Sequence, residues 1–249
     1  MVVLATGLPA PDDLALEPDG SILVSDVSDG TVSRLAQNGG LQVVVRGLSE
    51  PEGMLVLPDG SLLIVEQGRN RLVRYDLRTK TLTSFMSLRN RTGQLGVDSI
   101  ALDTHLPGSA SIIIPDSPNG TLLRVSTDGR SITQVARGFA RPTAAWVEPD
   151  GRILVTDENA GALVRVHPDG RVEKLASLSV PDDVVEDGAG NIFVNTMGDG
   201  AVHMIQAATG QNVVLVKGLG SPQGLILDAD GNLVVTDPGH HRIVKLILH

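Results

Sequence analysis

The chain is 249 residues long, carries a formal net charge of −9 and contains no cysteine. The acidic balance excludes the basic face that nucleic acid or an anionic membrane needs, and the missing thiols exclude disulfides, thiolate metal sites and thiol catalysis. Hydrophobic residues reach 41% but aromatics only 2%, so Val, Leu, Ile and Ala must fill any core.

The first residues, Met1 to Leu8, lack the basic region of a signal peptide. They match Val43–Leu48 and Val214–Leu219, which precede later repeats, and are read as a strand. No apolar run approaches the roughly 20 residues of a membrane helix. A soluble, cytoplasmic protein with no membrane or nucleic-acid partner is expected.

From there one phrase recurs. A Pro is followed by a polar residue, a small or acidic residue, an apolar strand, a turn such as Asp19-Gly20, a second apolar strand and usually an acid. It runs from Pro11 to Asp26, Pro51 to Glu66, Pro142 to Asp157, Pro181 to Thr196 and Pro222 to Asp237, with a looser copy from Val97 to Asp116. Its starts at 11, 51, 97, 142, 181 and 222 give a period of about 40 residues, the signature of a propeller array. Each unit parses into four strands joined by Asp-Gly-type hairpins. The last stops after its third strand, Arg242–Ile247, and residues 2 to 6 supply the fourth. The fold class is therefore all-β: a six-bladed β-propeller with four-stranded blades, its ring closed by the N-terminal strand completing the C-terminal blade, as one domain over residues 1–249.

Two insertions interrupt the rhythm. Residues 86 to 96 are expected to form a lid or wall beside the polar end of the channel. Residues 104 to 109 enlarge a turn at the opposite end.

In a propeller the first strand of each blade lines the channel. The residues opening those strands form an inner ring of Asp12, Glu52, Asp98, Thr143, Asp182 and Gln223. Four carboxylates placed together repel one another, and a hard cation taking oxygen ligands, Ca²⁺ foremost, relieves this. Alternatively these acids cap backbone amides or face water. The second ring of Asp26, Glu66, Asp116, Asp157, Thr196 and Asp237 is too regular to be chemical. Its acids are expected to accept hydrogen bonds from the adjoining turn or to pair with Arg34, Arg71, Arg124, Arg165 or Arg242. Asn195-Thr196 breaks that rule in the fifth blade, which makes Asn195 a candidate substrate contact.

His240 and His241 lie in the last turn near the ring. His240 is a candidate general base, with a plain turn residue as the alternative. His105, His167, His203 and His249 show no metal-ligand spacing. Trp146 is read as packing between blades.

The unit Ser221–Asp237 with Gly239–Ile243 resembles NHL repeats, and the resemblance spans nearly the whole chain. Many such propellers are protein-binding platforms. The chain also resembles, more loosely, the SMP-30/gluconolactonase family. In that family a divalent cation is held by a Glu opening one inner strand, an Asn three blades on and an Asp four blades on, the Asp serving as general base. Counting from Glu52, this chain places Asp182 and Gln223 there. Counting from Asp12, it places Thr143 and Asp182. A third resemblance, to the streptogramin-type lyases, which carry more blades, implies metal-assisted elimination.

Together these imply a metal-dependent, lactonase-like hydrolase of a small cyclic ester. Asp12, Glu52, Asp98 and Asp182 are the expected metal ligands, and Asp182 is also the expected base. Thr143, Gln223 and Asn195 would orient the substrate. The alternatives are a metal-assisted lyase and a non-enzymatic NHL-type protein-interaction platform.

Overall fold

The computed structural model describes residues 1–36, 39–106 and 108–248. After β1 (Val2–Thr6), the first blade consists of β2 (Pro11–Leu16), β3 (Ile22–Asp26), β4 (Thr31–Leu35) and β5 (Leu41–Arg46). The second holds β6 (Pro51–Val56), β7 (Leu62–Glu66), β8 (Arg71–Asp76) and β9 (Thr81–Ser87). The third holds β10 (Ala101–Leu106), β11 (Ser109–Asp116), β12 (Thr121–Ser126) and β13 (Ile132–Arg137). The fourth follows with β14 (Pro142–Val147), β15 (Ile153–Asp157), β16 (Ala162–Val166) and β17 (Val172–Ser177). The fifth is β18 (Pro181–Glu186), β19 (Ile192–Thr196), β20 (Ala201–Ile205) and β21 (Asn212–Lys217). The sixth, β22 (Leu225–Leu227), β23 (Leu233–Asp237) and β24 (Arg242–Leu246), takes β1 as its outer strand, with Val2 opposite Lys245 and Thr6 opposite Arg242. The protein is thus a closed β-propeller of six four-stranded antiparallel sheets, as the repeat predicts. No helix among the described residues is long and apolar enough to cross a membrane.

The hydrophobic core lies between blades. Six buried clusters fill the six interfaces; one packs Ala15, Leu23 and Val32 of the first blade against Met54, Leu62 and Ile64 of the second. A second strand therefore has both faces covered, which is why β3, β7, β15, β19 and β23 are buried at every residue and open with three or four consecutive apolar residues.

The repeated phrase acquires a physical meaning in the register. Pro11 pairs with Asp26, yet Leu14 pairs with Val24, so Asp12 and Asp13 together oppose Ser25. The same two-against-one β-bulge recurs in β6, β14 and β18. A bulge re-aims the side chain it carries. Its unpaired amide then needs an acceptor, and the residue across the sheet supplies it. Asp13 N donates to Ser25 Oγ (2.9 Å), Ala144 N to Thr156 Oγ1 (3.0 Å) and Asp183 N to Asn195 Oδ1 (2.7 Å). In the sixth blade Gly224 N donates to Thr236 Oγ1 (2.7 Å).

Candidate functional site

The four bulges, with the chain entering β10 and β22, bring the predicted inner ring to one place. Asp12, Glu52, Asp98, Thr143, Asp182 and Gln223 all line a cavity of about 220 Å³ at one end of the channel. The structure adds residues that the sequence reading did not include: Asp13 and Asp183 from the bulges, Gln67 and Glu158 just beyond the second strands, and Arg141 just before Pro142. Leu95, largely exposed, also lines the cavity, so the 86–96 insertion contributes a wall.

Arg141 is the one basic side chain at this mouth among the described residues. Its Nη2 donates to both oxygens of Asp98 (2.7 and 2.8 Å), and its Nε donates to Glu158. Nη1 has no hydrogen-bond partner among the described residues, which leaves N–H donors for a ligand. Gln67 Nε2 bridges Glu52 Oε2 (2.5 Å) and Asp98 Oδ1, and Ser117 Oγ donates to Asp98 Oδ2 (3.1 Å). Burial, then the charges of Asp12 and Asp98, hold Glu52 well above the usual carboxylate range. Asp98 is raised by burial, offset in part by Arg141.

Asp12 and Asp182 differ from this pair. Neither carboxylate accepts a hydrogen bond from the described residues; Asp12 is anchored only through its backbone oxygen, which takes Gly224 N (2.9 Å) and Thr236 Oγ1 (2.5 Å). Asp182 O likewise takes Thr143 Oγ1 (2.9 Å) and Thr156 Oγ1 (2.6 Å). Burial and then like charge push both well up, Asp13 and Asp98 leading for Asp12, Asp12 and Asp98 for Asp182.

Asp13 and Asp183 form a deeper pair that ties blades together. Asp13 Oδ2 accepts Met54 N (3.0 Å) from the second blade, and Asp183 Oδ2 accepts Leu225 N (2.8 Å) from the sixth. Desolvation carries Asp13 to about 7 and Asp183 well above its ordinary value. The equivalent positions elsewhere include Gly53 and Gly224, and their neighbours explain the choice. A Cβ on Gly53 would lie 2.5 Å from Ser99 Cα, and one on Gly224 2.5 Å from Asp12 O.

Two expected site residues stand elsewhere. Asn195 is fully buried and does not line the mouth; its amide caps the Asp183 bulge and donates to Gln223 O, so its polarity serves the backbone. His240 is about half exposed outside the mouth, its Nδ1 3.0 Å from both oxygens of Asp237. Thr143 lines the cavity, but its hydroxyl is engaged with Thr156 and Asp182. His249 lies outside the described residues.

The second ring is structural, as expected, but most of its amide donors come from the chain entering the blade rather than from the turn after the second strand, which supplies Asp29 N to Asp26 and the Asn119 amide to Asp116. Asp26 accepts Ala10 N (3.1 Å), Glu66 accepts Ser49 N (2.9 Å), Asp157 accepts Ala140 N and Arg141 N (3.0 and 2.8 Å), and Asp237 accepts Gly220 N (2.6 Å), each fastening the chain that enters the blade. Arg71 and Arg242 pair with Glu66 and Asp237. Arg34, Arg124 and Arg165 do not reach this ring. They pair with Glu17, Asp103 and Glu148, acids on the far side of the first strands.

A divalent cation was the expected occupant. The donor chemistry suits one, since Asp12 and Asp182 offer unengaged oxygens. The arrangement does not: among the described residues no three acidic or histidine side chains converge to hold a metal ion, and Asp98 is taken by Arg141, Gln67 and Ser117. The residues present therefore do not fit a metal centre, and no chemical step is assigned to one.

Solved structures share this propeller. A gluconolactonase from Xanthomonas campestris superposes with a TM-score of 0.82 at 16% identity, covering 99% of this chain and 89% of that one. A calcium-binding protein, regucalcin, from Agrobacterium tumefaciens gives 0.80 at 18%, covering 98% and 92%. Virginiamycin B lyase from Staphylococcus aureus gives 0.70 at 16%, covering 95% and 80%. At such identities the likeness is one of fold. No protein-family model matches the sequence, and no curated protein does.

Proposed function

We propose that the mouth is the active site of a hydrolase that opens a small cyclic ester. The observation that carries this is the meeting, on one cavity, of an unengaged carboxyl group (Asp182), a second one that burial and like charge hold well above the usual carboxylate range (Glu52) and a guanidinium with a free edge (Arg141). Asp182 is the general base: its raised proton affinity is the direction needed to accept a proton from water near neutral pH. Water oxygen bonds to the ester carbonyl carbon as Asp182 takes its proton. Arg141 Nη1 donates to the oxyanion that develops, a preorganised contact of the kind that lowers such barriers most. The ring C–O bond then breaks, and Glu52 passes its proton to the leaving oxygen. Transfer of the proton from Asp182 back to Glu52 through water restores both. Fold-level likeness to gluconolactonases supports this reading by analogy only.

The same base and acid would serve a lyase, with Asp182 removing a carbon-bound proton and Glu52 protonating the departing oxygen. The likeness to virginiamycin B lyase favours keeping this second reading. The deciding experiment compares wild type with Asp182→Asn on a panel of γ- and δ-lactones. Loss of at least about a hundredfold in kcat is expected, the scale of general-base catalysis. Unchanged turnover removes Asp182 from the chemistry.

A further inference from the structure

The end of the channel opposite the mouth carries a departure from the repeat. One position of the third strand holds a cation in five blades: Arg34, Arg74, Arg124, Arg165 and Lys245, opposite Leu23, Leu63, Ile113, Leu154 and Val234 in the register. Each is paired, with Glu17, Asp59, Asp103, Glu148 and Asp228 respectively. In the fifth blade the same position, opposite Phe193, is Met204. That blade lacks the cation yet gains an acid. Glu186, opposite Ile192, stands where the other blades have Leu16, Val56, Leu102, Val147 and Leu227. We propose that a cavity of about 500 Å³ at this end is a second binding site, which takes a small organic cation with a guanidinium head in place of the missing basic side chain.

The proposal is independent of the ester-opening reading of the mouth. Thr104, His105, Trp146, Glu148, Glu186 and Asp187 are among the residues that line the cavity, the first two from the 104–109 turn that interrupts the repeat. Glu148 is already matched by Arg165 (2.8 Å). Asp187 holds its own turn, accepting Ala189 N (2.8 Å) and Asn191 N (2.9 Å). His105, the one basic side chain on the wall among the described residues, is bound through Nδ1 to Asp103 (2.5 Å). Glu186 is the group left over. It forms no ion pair and accepts no hydrogen bond from the described residues, and its Oε2 is closed off from solvent. Burial, then the charge of Glu148, raises its proton affinity, offset in part by Arg165 and Arg152. A carboxyl so placed is costly to ionise until a cation arrives. Trp146 selects the kind of cation, because a guanidinium stacks on an aromatic face while its N–H fork meets a carboxylate. A metal ion lacks a cage here, since no three acidic or histidine side chains converge among the described residues. An anion would meet Glu148, Glu186 and Asp187. Ten residues line the hollow, fewer than the ~20–30 per side of a stable protein interface, which selects a small molecule.

Trp146 is the sole tryptophan, so its emission reports on this cavity in the full chain. The probes are butylguanidinium and its neutral isostere butylurea, titrated at matched ionic strength. Butylguanidinium is expected to change the emission saturably, and butylurea to leave it flat. Glu186→Gln is expected to weaken butylguanidinium about tenfold or more, the scale of a hydrogen bond to a charged group. Met204→Arg, which restores the cation of the other blades, is expected to abolish the response, while Met204→Leu keeps it. No saturable response to butylguanidinium, an equal response to butylurea, or a Kd that Glu186→Gln leaves unchanged overturns the proposal. Should Met204→Arg fail to fold, the Glu186→Gln comparison decides alone. Tighter binding of a capped Gly-Arg-Gly peptide than of butylguanidinium overturns the small-molecule assignment, since the head would then come from a protein arginine.

Discussion

Replacing Arg141 by Met removes the one cation from an acidic mouth and keeps much of the side chain's volume. Its Nη2 sits 2.7 and 2.8 Å from the two oxygens of Asp98, and the two side chains are only 11% and 12% exposed. Two unit charges about 4 Å apart at an effective dielectric near 20 interact by about 4 kcal/mol. Breaking one side of a buried pair costs about 3–5 kcal/mol, because the other charge is left enclosed. Arg141→Met is therefore expected to lose about 3–5 kcal/mol by urea unfolding at pH 8. Asp98→Asn should also destabilise, by less, since Arg141 keeps Glu158. The double variant should fall short of the summed losses by about 2–3 kcal/mol, the coupling of groups in direct contact. At pH 5 the loss in Arg141→Met should shrink, because Asp98 without its guanidinium picks up a proton. Strictly additive losses, or a loss independent of pH, would refute the pairing and with it the placement of Arg141 at the mouth.

The raised carboxyls set a pH dependence with a defined sign. Asp13 moves from 3.8 unfolded to about 7 folded, so between those values the native state holds a proton that the unfolded chain has shed. Stability then falls as pH rises through that window, by up to ~4 kcal/mol from this group, and Asp12, Glu52, Asp182 and Asp183 act in the same direction. Urea midpoints that stay level from pH 4 to 8 would contradict the burial of these groups. Gly53→Ala is expected to cost about 1–3 kcal/mol, since its methyl would press on the backbone at Ser99; a neutral effect in thermal unfolding would count against the close approach of the second and third blades. Millimolar Ca²⁺ is expected to give wild type no saturable rise in Tm, while Arg141→Met, with Asp98 released, gains one. A saturable rise in wild type, following RT ln(1 + [L]/Kd), would show that Asp12, Glu52 and Asp182 draw together around an ion.

Much of the architecture was legible because the repeat encodes register. Pro11 and Asp26 are 15 residues apart because they face each other across one hairpin, and the same holds for Pro51 with Glu66. The inner ring was legible for the same reason. What periodicity does not encode is the direction of a polar side chain. Asn195 stood out as a break in the pattern, but it points across the sheet to cap a bulge amide, as Ser25 and Thr156 do. Arg141 occupies a position where the other repeats have Ala10, Glu50, Gly96, Val180 and Ser221, so aligning the residue before each phrase would have marked it. Its bond to Asp98, 43 residues earlier, depends on neighbouring blades and lies beyond any local pattern. Asp13 and Asp183 were visible as the two Pro-Asp-Asp copies, yet their clamping of adjacent blades was not.

The closure of the ring has a consequence for how the molecule comes into being. The backbone of Asp12 is held by Thr236, 224 residues further along the chain, and β1 completes the sheet of β24. Contacts of such long range form late and slowly. Asp12 of the first blade and Asp182 and Asp183 of the fifth raise one another's proton affinity only in the closed ring, so part of the acids' mutual repulsion is a cost of closure itself.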